Sequence, residues 1–400
     1  MKNSDIRKGL LRNKFVYSFL GLLIGWIIVL IRNFSYKRYK VKNKPVLILA
    51  NHNSDFDPLL MVIHLKTHFK FVASANILSG FVGKIINFLS GPIPRAKGAS
   101  ADDTVKAIIA NLNAGINVAM FPEGNKSWDG ETCFISPRTA TILKETDCAL
   151  LTYRFDGGYL RSPRWAVNKR KGKVFGTVVN EYSHEQLAEM SVDEIYKVIC
   201  DDLYVDAFEY QQQHMQKYTG KALAEGFENM AFICPKCHNF DTIKTEGNMI
   251  TCSCGHKVKY NEYGFLENEE DSIVNTSLKW NKFQKEYLLA NASRLKERTK
   301  DFFSSDQGCQ FYVVKGEDDK VIVFRDAIVR VYGDRITVSG KENNELFTFY
   351  WHRISKMGMF RSTCLFFTHN DKRYEIRKAA SFSCLKYFFL WRTLTGKTLV

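Results

Sequence analysis

From Pro45 onward, short apolar runs recur between longer stretches of helical spacing: Val46–Ala50, Phe69–Ala73, Val118–Phe121 and Ala149–Tyr153. Runs this short and continuously apolar read as strands buried inside a sheet. The intervening stretches have the helical period. Asp102–Ala114, for example, carries Val105, Ile108, Ile109 and Leu112 on one face. Strand–helix alternation predicts an α/β layer fold, a mixed sheet covered by helices. A capping-box pattern, Ser191 with Glu194, opens a further helix expected to run to about His214.

At the end of the first run stands NHNSDFDP, residues 51–58. His52 and Asp57 are five positions apart, which on a continuous helix would set them about 140° from each other. They can meet only if the chain turns between them, and a strand-to-helix junction with Pro58 at the first helical position supplies that turn. A carboxylate against an imidazole fixes its tautomer and stabilises the imidazolium formed when the ring takes a proton. The bland alternative makes Asp57 an N-cap and His52 a loop residue. Two further segments weigh against it. GPIPRAKG, residues 91–98, sets Arg95 and Lys97 in a Gly/Pro-rich loop, and FPEGNKS, residues 121–127, carries Glu123, Gly124 and Lys126 just after a strand. Glycine permits close backbone approach, and a cation beside free N–H groups makes an anion site. Ends of separate strands are where α/β sheets build such sites.

In this order the three motifs resemble the glycerolipid acyltransferases of the lysophosphatidate-acyltransferase type, over roughly residues 40–185. That family has an H-x4-D motif, an arginine-bearing second motif and an F-P-E-G third motif. The resemblance implies that His52, aligned by Asp57, is the general base on an acceptor hydroxyl that attacks an acyl thioester. It implies that Arg95, Glu123, Gly124 and Lys126 hold the acceptor, that acyl-CoA or an acyl carrier protein is the co-substrate, and that catalysis needs no cofactor. The expected acceptor is a lysophospholipid, 1-acylglycerol-3-phosphate first among them. There are departures: Asn125 and Lys126 replace the usual Thr and Arg, Ser74 stands where a lysine is common, and the fourth-motif region holds Tyr153, Arg154 and Gly157–Gly158 in place of a proline. Lysine keeps the charge but loses the bidentate fork, so a different headgroup is the alternative.

Phe15 to Ile31 is uncharged and has basic residues on both sides. As a helix it reaches ~25 Å, slightly short of the roughly 30 Å bilayer core. Membrane association is expected, by spanning or by entering one leaflet, with the active site facing the cytosol. The net charge of +15 points to an anionic partner, and a nucleic acid, an acidic carrier protein or a phospholipid surface would each fit it.

Cys234 and Cys237 are followed by Cys252 and Cys254, while the other six cysteines are scattered. Two short cysteine knuckles predict a zinc ribbon, with four thiolates around a structural Zn²⁺ and no catalytic role; His256 is the alternative fourth ligand. Beyond Phe311, period-2 strands precede a helix over Ser381–Thr395, which predicts a β-rich domain resembling a pleckstrin-homology module. The expected organisation is a membrane-associated segment (1–40), an acyltransferase domain (41–225), a zinc ribbon (226–268), a helical linker (269–305) and the β-rich domain (306–400). Two other classes compete. A zinc-containing nucleic-acid-binding protein would leave the apolar segment and the His/Asp and FPEG set without a role, so no nucleic-acid partner is expected. A non-catalytic membrane adaptor would have no need of His52 and Asp57.

Overall fold

The computed structural model describes residues 25, 27–78, 87, 91–95, 101–267, 274–315, 320–341, 346–379 and 381–399. Most of the apolar segment Phe15–Ile31, and Lys97, lie outside them. No helix among the described residues is long and apolar enough to cross a membrane. The chain divides into two compact units: residues 1–163 with 171–218, and residues 164–170 with 219–400.

The first unit is built on a seven-stranded sheet in the order β1-β7-β6-β2-β5-β3-β4. Its strands are β1 (Phe34–Tyr36), β2 (Val46–Ala50), β3 (Lys70–Ser74), β4 (Ile93–Arg95), β5 (Val118–Met120), β6 (Ala149–Asp156) and β7 (Val174–Tyr182). β2 pairs parallel with both β5 and β6, β3 pairs parallel with β4 and β5, and β7, antiparallel to β6, pairs parallel with β1, so those two edge-side strands run against the rest. The continuous apolar character of β2 follows from its place. Val46, Ile48 and Ala50 enter one core with Leu60, Met61 and Phe155, whereas Leu47 and Leu49 enter the other with Ile108, Leu112, Ile195 and Ile199. A strand buried on both faces has no use for polar alternation.

The helices that matter here are α1 (Asp57–Leu65), α2 (Asp102–Asn113), α3 (Val192–Leu203) and α4 (Ala207–His214). The capping box opens α3 as expected: Ser191 accepts from the Glu194 N–H, and Glu194 reaches back to the Ser191 N–H. The single helix expected to reach His214 is instead two. Tyr204 has extended backbone angles, and Asp206 N-caps α4 by accepting from the N–H groups of Phe208 and Glu209. Asp favours a new cap over continuing a helix interior.

In the second unit, β8 (Ile243–Glu246), β9 (Met249–Cys252), β10 (Lys257–Tyr260) and β11 (Leu266–Glu267) form a small antiparallel sheet. Helices α5 (Ser277–Ala290) and α6 (Ala292–Glu297) follow, separated at Asn291. Seven antiparallel strands come next: β12 (Ser304–Val314), β13 (Lys320–Val331), β14 (Arg335–Gly340), β15 (Leu346–Tyr350), β16 (Ile354–Phe360), β17 (Cys364–His369) and β18 (Lys372–Arg377). Their order is β15-β14-β13-β12-β18-β17-β16, so the first strand pairs with the last. Helix α7 (Cys384–Leu394), N-capped by Ser383, ends the chain's regular structure. The expected β-rich C-terminal region with its closing helix is therefore present. Trp165 belongs to the core of this unit, edge-on to Phe227 and Tyr260.

Candidate active site

Asp57 is the first residue of α1, with Pro58 second, and Phe56 at the N-cap makes no side-chain cap. The Asp57 carboxylate is thus not capping its own helix. It folds back over the preceding turn, where Oδ2 lies 3.0 Å from His52 Nδ1 and accepts the N–H groups of Asn53 (2.7 Å) and Ser54 (2.8 Å). Oδ1 accepts the Ser54 hydroxyl at 2.7 Å. A carboxylate saturated in this way stays where it is and holds the imidazole with the proton on Nδ1, leaving Nε2 as the basic nitrogen. The ring also stacks on Phe121, with centroids 4.1 Å apart and planes 16° from parallel. His52 keeps about a fifth of its side-chain surface exposed (21%), while Asp57 is buried (2%). The orienting group is dry and the reactive ring is reachable.

The turn is fastened from two sides. The His52 N–H donates to Glu123 Oε1 (2.8 Å), and Glu123 Oε2 accepts the Cys133 N–H (2.6 Å). Glu123 is buried, and burial pushes its carboxyl up to about 7 against the lowering effect of those two N–H groups. On the other side, the Asn51 amide exchanges both bonds with the Phe155 backbone, donating to its carbonyl (3.0 Å) and accepting from its N–H (2.7 Å). Gly158 lies so close to Asn53 that a Cβ would sit 2.9 Å from the Asn53 Cβ, which explains a glycine in that loop.

The structure brings together most of the residues singled out from sequence. His52 and Asp57 are in contact, and Glu123 touches the His52 backbone rather than open space. Lys126 forms an ion pair with Asp55 of the same turn at 3.0 Å. Gly124 adopts φ +65 in the loop after β5, a conformation glycine accepts without strain. Arg95 ends β4, aligned with Ser74 at the end of β3. Asn51, Ser54, Phe121 and Arg32 were not singled out. Asn51 and Ser54 stood inside the quoted motif, but their partners are a backbone carbonyl and a neighbouring carboxylate that no spacing rule points to. Arg32, over the Phe56 ring at 4.6 Å, carried no signal beyond its charge.

The four cysteines of the second unit converge, with all their Sγ atoms within 4.8 Å of one another. Cys234 and Cys254 Sγ are 3.8 Å apart, and Cys237 and Cys252 Sγ 3.7 Å. A tetrahedral thiolate site with metal–sulfur arms of about 2.3 Å has edges of about 3.8 Å. The sulfurs are therefore spaced for a metal and far beyond the roughly 2.05 Å of a disulfide. His256 is not in the group.

A histidine–carboxylate pair thus stands at the C-terminal end of a parallel strand, on a turn pinned to neighbouring strands, an arrangement chemically able to take up and release a proton. Residues 32–155 match the family model described as Acyltransferase, which bears out the glycerolipid-acyltransferase resemblance and gives the chain an acyltransferase domain. His52, Asp57, Arg95, Glu123, Gly124 and Lys126 all fall within the matched stretch. Among solved structures, the chain is similar to the 1-acyl-sn-glycerophosphate acyltransferase PlsC from Thermotoga maritima (16% identity, 49% of this chain and 94% of that one, TM-score 0.35). It is also similar to a chain of the 8S snRNP assembly intermediate (9% identity, 25% and 87% covered, TM-score 0.21). A third similarity is to the C-terminal domain of an unknown protein from Leishmania infantum (9% identity, 28% and 97% covered, TM-score 0.18). No curated protein matches the chain.

Proposed function

We propose that this protein is a membrane-associated O-acyltransferase that moves an acyl group from an acyl-CoA or acyl-carrier-protein thioester to a lysophospholipid hydroxyl. The contact between His52 Nδ1 and Asp57 carries this reading. His52 Nε2 takes the proton of the acceptor hydroxyl as its oxygen attacks the thioester carbonyl carbon. The tetrahedral intermediate collapses with breakage of the C–S bond, and the imidazolium returns the proton to the departing thiolate. Asp57 stabilises the imidazolium between those steps. No metal or cofactor is required for this sequence, because the histidine supplies the base and a thiolate leaves readily.

The acceptor we favour is 1-acylglycerol-3-phosphate, in phospholipid biosynthesis, with Arg95, Gly124 and Lys126 on its phosphate. Glu123 has both oxygens committed to backbone N–H groups, so its part is to hold the His52 turn. The Lys126–Asp55 ion pair favours a second reading, a different lysolipid headgroup, since that cation already faces a carboxylate. Membrane association is supported by the apolar segment Phe15–Ile31 and by exposed Leu30, Ile31, Phe56 and Leu59 in the first unit, and the free cysteines favour a site facing the reducing cytosol. Cys234, Cys237, Cys252 and Cys254 would hold a structural Zn²⁺, which would cross-link the two knuckles and leave no ligand position for water.

The deciding experiment offers purified protein in detergent labelled acyl-CoA and acyl carrier protein against a panel of lysolipids, beside His52→Ala. Transfer to one acceptor by wild type alone supports the reading; transfer by the variant at the wild-type rate removes His52 as base. Cys234→Ser should lower bound zinc and the melting temperature while acceptor preference stays fixed. A changed preference in a folded variant would contradict a purely structural metal.

A further inference from the structure

The second unit contains a cavity of about 580 Å³ that the acyltransferase chemistry does not use. Its walls come from three places: the turn after the first cysteine knuckle (His238, Asp241), the α5–α6 pair (Tyr287, Arg294, Arg298) and the segment entering β12 (Phe302). The volume lies within the range of small-molecule sites, roughly 300–1,000 Å³.

Its charge is unbalanced. Asp241 is the only carboxylate in the lining, and it is committed elsewhere. Its Oδ1 accepts the Lys386 ammonium at 2.7 Å, and its Oδ2 accepts the Ser304 hydroxyl and the Ser305 N–H. Arg294 and Arg298 have no acidic partner among the described residues. Cations near a helix C-terminus are favoured by its dipole, which would suffice for two arginines on an open surface. These two instead border a concavity with aromatic walls. The Arg298 guanidinium lies 5.2 Å from the Phe303 ring centroid, and His238 faces Tyr287 at 5.1 Å. Phe302 is nearly half exposed at 48%. The backbone around Arg298 is also fixed, since its carbonyl accepts the Gly333 N–H at 2.7 Å. A Cβ at Gly333 would collide with the Leu295 and Lys296 carbonyl oxygens, so only glycine lets the β13–β14 turn come this close.

We infer that this cavity binds a phosphate-bearing ligand, with the phosphate between the guanidinium groups of Arg294 and Arg298 and the rest of the molecule against Phe302, Phe303 and Tyr287. Two planar forks are matched to phosphate oxygens, and the rings accept a base or a glyceride portion equally well. The site is independent of the acyl-transfer reading, because none of its residues belongs to the unit that carries His52. The phosphate can arrive on a soluble nucleotide-like molecule or on a phospholipid headgroup.

The test uses the full chain in detergent or with vesicles. Titration calorimetry with ADP probes the soluble source. Vesicles of phosphatidylcholine, with and without phosphatidate, probe the lipid source through the phosphatidate-dependent part of retention. Arg294→Gln/Arg298→Gln is compared with Lys356→Gln/Lys372→Gln, which removes the same charge from exposed positions on β16 and β18. All four side chains are exposed, so both variants should melt like wild type. The expected result is a loss of about tenfold or more in ADP affinity, or in phosphatidate-dependent retention, in the arginine variant alone. An ADP effect identifies the soluble source and a retention effect the lipid one. Equal losses in both variants, or no phosphate-dependent binding of either probe by wild type, would overturn the site.

Discussion

Asp57 and Asp306 are both buried carboxylates held by hydrogen bonds, but their partners are gathered in opposite ways. The donors to Asp57 all lie within five positions of it: His52, Asn53 and Ser54. Asp306 accepts from Lys386, 80 positions away, and from Tyr387, 81 positions away, both at 2.7 Å. Lys386 is itself fully buried and also donates to Asp241, 145 positions distant. Burial works against its charge, and the two carboxylates hold it ionised. The first network is built by one turn of chain and presents a reactive ring to solvent. The second ties the segment after the cysteine knuckle, strand β12 and helix α7 together and exposes nothing that reacts. On the proposed reading the first serves chemistry, while the second serves cohesion within the second unit.

That contrast sets the expected effects. His52→Ala should lower acyl transfer by on the order of 10²- to 10⁴-fold with little change in melting, since a partly exposed ring is removed and buried Asp57 keeps its Asn53 and Ser54 donors. A matching loss of stability would break the distinction. Lys386→Met should leave activity of the surviving protein alone but destabilise the second unit by ~3–5 kcal/mol, because two carboxylates lose their counter-charge. Adding Asp306→Asn should return part of that loss, and denaturant melts of the pair measure it. If Lys386→Met melts like wild type, the cohesive role fails.

Glu123 stands between the two types, with one partner 10 positions away and the other 71. Glu123→Gln replaces one acceptor by an N–H donor facing a backbone N–H, at a cost of ~1–3 kcal/mol. Its pH behaviour has a definite sign. A carboxyl raised from its usual 4.5 to about 7 by burial binds more protons folded than unfolded between those values. Stability from this group is complete below about pH 4.5 and is lost as pH rises through about 7. Melts of Glu123→Gln across that window should show a flatter limb than wild type, and an identical slope would remove Glu123 as its source. The smallest effect belongs to a purely local device. Ser191→Ala removes the α3 cap and should lower the melting temperature by roughly 2–4 °C. A drop as large as that of Lys386→Met would mean that the cap does more than close one helix.

The His52–Asp57 contact was legible because both residues and the turn between them are local. His52, Asp57 and the turn-forming Pro58 stand in one eight-residue motif, and strand β2 before it is apolar without interruption. The cysteine spacing was legible for the same reason, and so was the Ser191 capping box. What Glu123 does was not. Its motif suggested a face toward the acceptor, whereas the fold turns it inward onto the His52 and Cys133 backbone. The break at Tyr204 was also missed, since that segment keeps helical spacing across the interruption.

The strand–helix alternation, the motif that pairs His52 with Asp57 and the four thiols at metal-ligand spacing depend on periods and short separations, so the order of residues is enough to set them. The place of β2 between β5 and β6, the lock of Asn51 onto Phe155 and the meeting of Lys386 with Asp241 and Asp306 arise only on folding. The physical reason is that burial creates these partnerships. A lysine or an asparagine carries no mark of the distant carboxylate or carbonyl that will satisfy it. That choice is made when water is excluded and each polar group must find a partner among those folded against it.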